Sequence, residues 1–311
     1  MIKYKFYATL LNAFQDYLSS DEIYREYWGY TDAPNKSESE FEAEQFQSLI
    51  DKINRVPLAD SEAADRGTTF NEIVDCIILN RKSSKMQIDK IYETTTVGTD
   101  KPFQNCVALK ATYNNREFQF PIGICREFAD YFQGATPQVY TEATLPTKYG
   151  DVLVYGFIDE LMPDCAHDIK LIGRYKAGKF RRGWQHIVYP YCLNRNGNHI
   201  NQFEYNVAVM SGRKADSFTE YYTYSDERDV PRLVEHVERF IDFLEANRSL
   251  ITDTKIFGAP NLLSQALAEI DAATTADEVR AIQKKYPMLE NNDSFQVRYV
   301  NKIGLITAKK K

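Results

Sequence analysis

The chain has 311 residues, of which 43% are hydrophobic and 26% charged. This is ordinary globular usage and excludes wholesale disorder or a fibrous repeat. The net charge is -6, from 44 acidic and 38 basic residues, so contact with nucleic acid would require a local basic patch or metal ions. No run of about 18 apolar residues is present and the N-terminus lacks a signal-peptide core, which predicts a protein of the reducing cytoplasm.

The five cysteines are widely spread and include no C-x-x-C pair. This argues against a disulfide framework, a zinc ribbon or an iron–sulphur cluster. Cys165 and His167, with Cys192 and His199, fit no usual zinc spacing.

Helical periodicity dominates the first part of the chain. In residues 8–19 the apolar side chains fall on one side of a predicted helix, and residues 31–45 are polar enough for a loop or a loose helix start. Residues 86–121 have strand character, with a turn at Asn114 and Asn115. Further helices are predicted over residues 41–54, 66–80 and 123–133.

The middle of the chain alternates like strands and carries turn residues between them. A helix is predicted over residues 181–193, and we expect Pro190 to kink or end it. The predicted strands are residues 138–145, 152–159, 165–171 and 202–210. The order is therefore a helix, a three-strand meander, a helix and a strand.

The C-terminal part is mainly helical in pattern. Residues 230–248 predict an amphipathic helix, and residues 262–287 predict a helical hairpin broken near Thr274 and Thr275. Residues 296–311 read as a strand followed by a lysine tail.

Three charged residues of the meander carry the candidate chemistry. Asp168 and Lys170 are two apart on a predicted strand and so project to the same face, and a hairpin brings Asp159 alongside them. Carboxylate oxygens are the ligands that Mg²⁺ and Mn²⁺ prefer, and a lysine beside them can orient or deprotonate a water. Alone, the D-x-K triplet is weak evidence and more typical of a solvated ion pair, because a charged chain yields it by chance, as at Asp253-Thr254-Lys255.

Four motifs in order give the triplet a context. They are Gly67-Thr68-Thr69-Phe70-Asn71-Glu72, Gly156-Phe157-Ile158-Asp159, Asp168-Ile169-Lys170 and Gln185-His186-Ile187-Val188-Tyr189. Over about residues 60–210 the sequence resembles the PD-(D/E)XK nuclease superfamily, in its RecB-like and phage-exonuclease branch.

The resemblance implies a restriction-endonuclease-like α/β core with a mixed central sheet and helical additions at both ends. It assigns Mg²⁺ or Mn²⁺ to Asp159, Asp168, Asn71 and Ile169, and catalysis to Asp159 and Asp168 with Lys170, Gln185 and Tyr189. Gln185 and Tyr189 lie one helical turn apart, and they could equally be a surface glutamine and a packed tyrosine.

One position departs from the family pattern, which often has histidine where Asn71 stands. Asn71 could bind a metal weakly through its amide oxygen. It could instead be inert, with Glu72 or Asp75 acting through a water. The number of bound metals is therefore open.

A basic run follows the lysine in an otherwise acidic chain. Residues 170–182 contain no acid, and Tyr175 and Phe180 are interleaved and could stack on bases. A solvated loop is the alternative. The run predicts phosphate contacts by Arg174, Lys176, Lys179, Arg181 and Arg182.

The sequence thus predicts a metal-dependent DNA nuclease, with an exonuclease favoured, that acts in phage recombination or replication beside a partner protein of that process. The alternative is a catalytically inactive nucleic-acid-binding protein with the same fold. The predicted segments are residues 1–59 (helical), 60–215 (nuclease core) and 216–311 (mainly helical).

Overall fold

The computed structural model describes residues 2–57, 61–95, 102–211, 214–258 and 262–308. Across those residues, every helix is too short or too polar to cross a lipid bilayer. The elements in chain order are β1 (Tyr4–Tyr7), α1 (Ala8–Leu18), α2 (Ser20–Trp28), α3 (Glu38–Ile53), α4 (Glu62–Ile78), β2 (Gln87–Thr95), β3 (Phe103–Tyr113), β4 (Arg116–Pro121), α5 (Ile122–Tyr131), β5 (Thr136–Thr147), β6 (Gly150–Leu161), β7 (Cys165–Ile172), α6 (Gln185–Arg195), β8 (Gln202–Ser211), β9 (Lys214–Thr223), α7 (Asp226–Ala246), α8 (Leu262–Ala272), α9 (Ala276–Lys285) and α10 (Asp293–Ala308).

The protein is an α/β protein built on a mixed six-stranded sheet, as expected from the sequence. The strand order is β1-β6-β7-β8-β9, with β5 on the other edge of β6. The β5–β6 and β6–β7 pairs are antiparallel, whereas β7 and β8 are parallel and are joined through α6. The predicted meander, helix and strand are therefore present. A second, three-stranded sheet contains β2, β3 and β4.

A gap opens on one edge of β6. On that edge β6 pairs with β1 over Val152–Tyr155, and then with β7 only at Glu160 and Leu161. The intervening residues of β6 have no ladder partner on that edge among the described strands. We call this gap the β6–β7 fork and define it by Gly156–Asp159 on β6 and Asp168–Lys170 on β7.

Three apolar clusters fix the position of the fork. The largest packs α1, α6 and α7 against the main sheet, and a second packs α4, α5 and the small sheet against Ile169 of β7. The third joins α8, α9 and α10 to Tyr140 of β5. Each fully buried Leu or Phe side chain in these clusters contributes about 2 kcal/mol. The fork therefore lies between two packed layers, and the predicted three-segment division stays a prediction.

The predicted strand over residues 296–311 is wrong, because Asp293–Ala308 form α10. Phe295, Tyr299, Ile303 and Ile306 recur at helical spacing and pack on α8 and α9. Packing against that hairpin outweighs the local β-propensity of the valines and tyrosine. The lysine tail lies outside the described residues.

Pro190 does not end its helix, because α6 runs through it to Arg195. The helix also begins four residues later than predicted, at Gln185. Residues 185–193 are all buried between the sheet and neighbouring helices. This packing stabilises the helix despite the hydrogen bond that proline removes.

Candidate functional site

The backbone of β7 presents polar groups to the fork. The Ile169 N–H donates to Asp159 Oδ2 at 2.8 Å, so the Asp159 carboxylate takes the place of a missing ladder partner. In an extended strand the N–H and C=O of one residue point to the same side. The Ile169 carbonyl therefore also faces the fork, while its side chain packs against α4 and α5. Only this carbonyl could serve the predicted metal role.

Asp168, Lys170 and Gln185 form one hydrogen-bonded group. Lys170 Nζ lies 2.6 Å from Asp168 Oδ2 and donates to Gln185 Oε1 at 3.0 Å. Gln185 Nε2 in turn donates to Asp168 Oδ1. The glutamine predicted from the helix motif thus lies beside the strand motif, and Asp168 and Gln185 are both almost fully buried.

Tyr189 closes the fork from the side of α6. Gln185 Nε2 lies 3.2 Å from the Tyr189 hydroxyl, which places the two residues on one face as predicted. A Cβ atom at Gly156 would come within 2.4 Å of the Tyr189 ring. Glycine at position 156 is therefore a packing requirement, since only a bare backbone lets the tyrosine approach this strand.

Buried carboxyl groups outnumber cations around the fork. Burial, and then the charge of Asp168, raise the pKa of Asp159 to about 8. Burial and the nearby Asp75 raise the pKa of Glu160 to about 10. Both shifts reflect charge that is costly without a cation. Asp159, Asp168 and the Ile169 carbonyl offer oxygen donors of the kind that Mg²⁺ and Mn²⁺ prefer.

Helix α4 contributes Asp75 to this neighbourhood. Its charge raises the pKa of Glu160 and makes a minor contribution to the raised pKa of Asp159. Asn71 lies one turn earlier on the same side of α4 and is half-buried. Within the described part of the chain it has no hydrogen bond that commits its amide elsewhere. The metal assignment of Asn71 stays a prediction.

The predicted basic run forms a loop between β7 and α6, residues 173–184, which we call the basic loop. Its side chains fall into two groups. Arg182 is committed to α2, with Nη2 at 3.2 Å from Glu22 and 2.8 Å from Glu26. Four cations of the loop are exposed: Arg174, Lys176, Lys179 and Arg181.

The two aromatic residues of the loop are already stacked within the protein. Tyr175 packs on Phe218 with ring centroids 4.7 Å apart, and Phe180 packs on Tyr205 at 4.9 Å. Tyr175 also donates to Glu220. One face of each ring is therefore unavailable for stacking on a base.

Asn12 of α1 is a residue that the motifs did not indicate. Its Oδ1 accepts from the Trp184 N–H at 2.6 Å, and its Nδ2 lies 3.4 Å from Gln185 Oε1. Asn12 therefore fixes the start of α6 and the orientation of Gln185. No local signal reveals this role, because the contact joins residues 172 positions apart.

A second group of possible metal ligands lies apart from Asp168. Cys165, His167 and Glu204 are buried, with their ligand atoms within 4.8 Å of one another. His167 contacts Phe132 and Tyr131 of the α5 layer and lies 3.2 Å from Glu204 Oε2. A thiol, an imidazole and one carboxylate are not typical of Mg²⁺ or Mn²⁺. Cys192 and His199 are not part of this group.

No protein-family model matches the sequence, and no curated protein matches it. Among solved structures, the chain is similar to the crystal structure of SSO0001, with 14% identity and a TM-score of 0.28. The match covers 39% of this chain and 56% of that one, little more than half its length. Similarity at this level establishes neither fold nor function.

Proposed function

We propose that the protein is a metal-dependent deoxyribonuclease with a restriction-endonuclease-like core. The observation that carries this proposal is the fork, where Asp159, Asp168, Lys170 and Gln185 meet although they come from three separate elements. The order of the meander, α6 and parallel β8 agrees with the motif order of the resembled superfamily.

Asp159 and Asp168 would hold the cation, with the Ile169 carbonyl and Asn71 as further candidate ligands. When bound, Mg²⁺ or Mn²⁺ supplies Lewis acidity that lowers the pKa of a water and offsets phosphate charge. Lys170 holds a positive charge next to the two carboxylates, where it can orient the attacking water. Gln185 holds the Lys170 ammonium, and Tyr189 excludes water from the α6 side.

The likeness to phage exonucleases suggests degradation of DNA ends during phage recombination or replication, together with a protein of that process. The alternative function is a nucleic-acid-binding protein that keeps this fold without cleaving. Asn71 favours the alternative, because an amide is a weaker ligand than imidazole. A retained group of repelling carboxylates favours the enzyme, since a binding protein has no use for it.

Cleavage of linear and closed circular DNA in Mg²⁺ tests the proposal. We expect the parent to degrade linear DNA, and Asp168→Ala to reduce the rate by about 10³-fold or more. The matched control is Asp253→Ala, in the other D-x-K triplet of the chain, which should retain parental cleavage. An inactive parent would leave the binding protein as the better description, and cleavage by Asp168→Ala would refute the site.

A further inference from the structure

A cleft lies next to the fork, and most of its lining residues come from outside the four motifs. It has a volume of about 780 Å³ and lies between α1, α2 and α3 on one side and the basic loop on the other. Lys170 of the fork and Gln185 of α6 contribute to its lining, so the cleft leads directly to the candidate site. The Arg182 ion pairs with Glu22 and Glu26 join its two walls.

The α2 wall of the cleft presents aromatic surface to solvent. Tyr27 is 59% exposed, although large aromatic side chains are usually covered. Trp28 beside it is partly exposed and packs against Tyr24 and Phe41, which holds its ring in place. Phe180 lines the opposite wall. Rigid aromatic faces on both walls suit flat, stackable ligands.

Cations lie at the inner end of the cleft. Lys52 of α3 lines it together with Lys170 and Lys179. Burial lowers the pKa of Lys52, the Asp16 carboxylate raises it, and the Lys170 ammonium lowers it further, so the three groups share one region. The acidic Glu26 is neutralised by Arg182. Lys170 is paired with Asp168 and Asp16 lies beside Lys52, so among the described lining residues Lys179 is the cation without an acidic side-chain partner and the one best placed for a phosphate.

We propose that this cleft binds an unpaired nucleic-acid strand end, with its bases on Tyr27 and Trp28 and its phosphates toward Lys52 and Lys179. The inference rests on the proposed function and adds its substrate class. The volume falls within the range of about 300–1,000 Å³ that encloses small ligands. In a duplex the bases are already stacked on one another, so they are not free to stack on Tyr27 and Trp28.

Tryptophan fluorescence tests the cleft directly, because the chain has two tryptophans and only one lines it. Trp184 is 7% exposed and stacks on His236 at 4.0 Å. A short oligodeoxythymidine, added in EDTA so that no cleavage occurs, should quench the parental fluorescence. The quench should disappear in Trp28→Phe and persist in Trp184→Phe. A blunt hairpin duplex at equal concentration should produce none.

Tyr27→Ala gives a second readout that does not depend on either tryptophan variant folding. Its affinity for the labelled oligodeoxythymidine, measured by anisotropy in EDTA, should fall about tenfold, as loss of one stacked base requires. Equal quenching by the blunt duplex, or parental affinity of Tyr27→Ala, would overturn the cleft assignment. The two proposals fail separately: quenching without Mg²⁺-dependent cleavage removes the nuclease, whereas cleavage without quenching removes the cleft.

Discussion

Two buried carboxylates of α4, less than one turn apart, lie in opposite electrostatic settings. Glu72 forms salt bridges with Arg81 at 2.7 Å and with Lys85 at 2.9 Å. Burial raises the pKa of Glu72, but the hydrogen bonds from these two cations outweigh burial and lower the pKa to about 2. The Asp75 carboxylate lies 4.0 Å from the Arg81 guanidinium. Burial raises the pKa of Asp75 to about 6, although a hydrogen bond with Glu160 acts to lower it.

The difference teaches which buried acids are structural. Arg81 and Lys85 neutralise Glu72 within the folded protein, so its buried charge is already paired. Asp75 belongs with Asp159 and Glu160 in a group that takes up protons instead. An external cation would satisfy the second group and has nothing to offer the first. The contrast therefore supports the proposed cation site by an argument that does not use the motifs.

The largest expected effect separates the two settings by stability. Glu72→Ala should lower the free energy of unfolding by about 2 kcal/mol, less than for a fully buried pair because Arg81 and Lys85 are partly exposed. Asp159→Asn should raise it by up to about 1 kcal/mol at pH 8 without divalent cations, because repulsion is removed. Urea unfolding of both variants in EDTA checks this, and a loss of stability in Asp159→Asn would contradict it.

The pH dependence sharpens the contrast. Between the ordinary value of 3.8 and the raised pKa of about 8, folded Asp159 holds a proton that the unfolded chain has released. Its contribution to stability is therefore full at low pH and is lost as pH rises through that window. We expect the melting temperature in EDTA to fall from pH 5 to pH 9, and to fall less in Asp159→Asn.

Glu72 provides the internal control for this titration. Its lowered pKa gives a contribution to stability that is full above about pH 4.5 and lost as pH falls toward 2.

Mg²⁺ added at pH 9 should restore the melting temperature of the parent and leave that of Asp159→Asn unchanged. Equal restoration in both would show that the cation acts elsewhere.

Metal affinity tests the side of the fork that α4 supplies. If Asn71 binds the cation, Asn71→His should tighten Mn²⁺ binding by about tenfold, since imidazole suits that metal better than an amide does. Titration calorimetry of the parent and the variant measures this directly. Unchanged affinity would place Asn71 outside the coordination sphere and leave Asp75 as the α4 contribution.

The smallest expected effect compares an unpaired with a paired cation of the basic loop. Lys176→Ala should lower the salt slope of log K for DNA by about 0.7 for a single strand or about 0.9 for a duplex, since each phosphate contact releases counterions. Arg182→Ala should change the slope less, because that cation already serves Glu22 and Glu26. Equal slopes for Lys176→Ala and the parent would make the loop a solvated surface. Binding is measured in Ca²⁺ over a range of salt.

Local patterns were sufficient for most elements and for the charged residues of the meander. The helices α1, α4 and α7 and the strands β5 to β8 were predicted because each buries one face against the rest of the fold. The strand predicted over α10 overlooked the helical spacing of its apolar residues, which pack on the preceding hairpin of α8 and α9. At Pro190, burial outweighs proline chemistry. Strand β1 pairs with the distant β6, whereas β9 pairs with the directly preceding β8, and neither strand was predicted from the sequence.

The sequence by itself determined which acids and which lysine belong to the candidate site, because their spacing on strands fixes the side to which they point. Only the tertiary structure decided what surrounds them. Residues far apart in the chain form each of these surroundings. They are the gap between β1 and β7 on one edge of β6, the approach of Asn12 and Asp75, and the cleft beside Lys170. Such contacts depend on how layers pack, and no local pattern of residues encodes that packing.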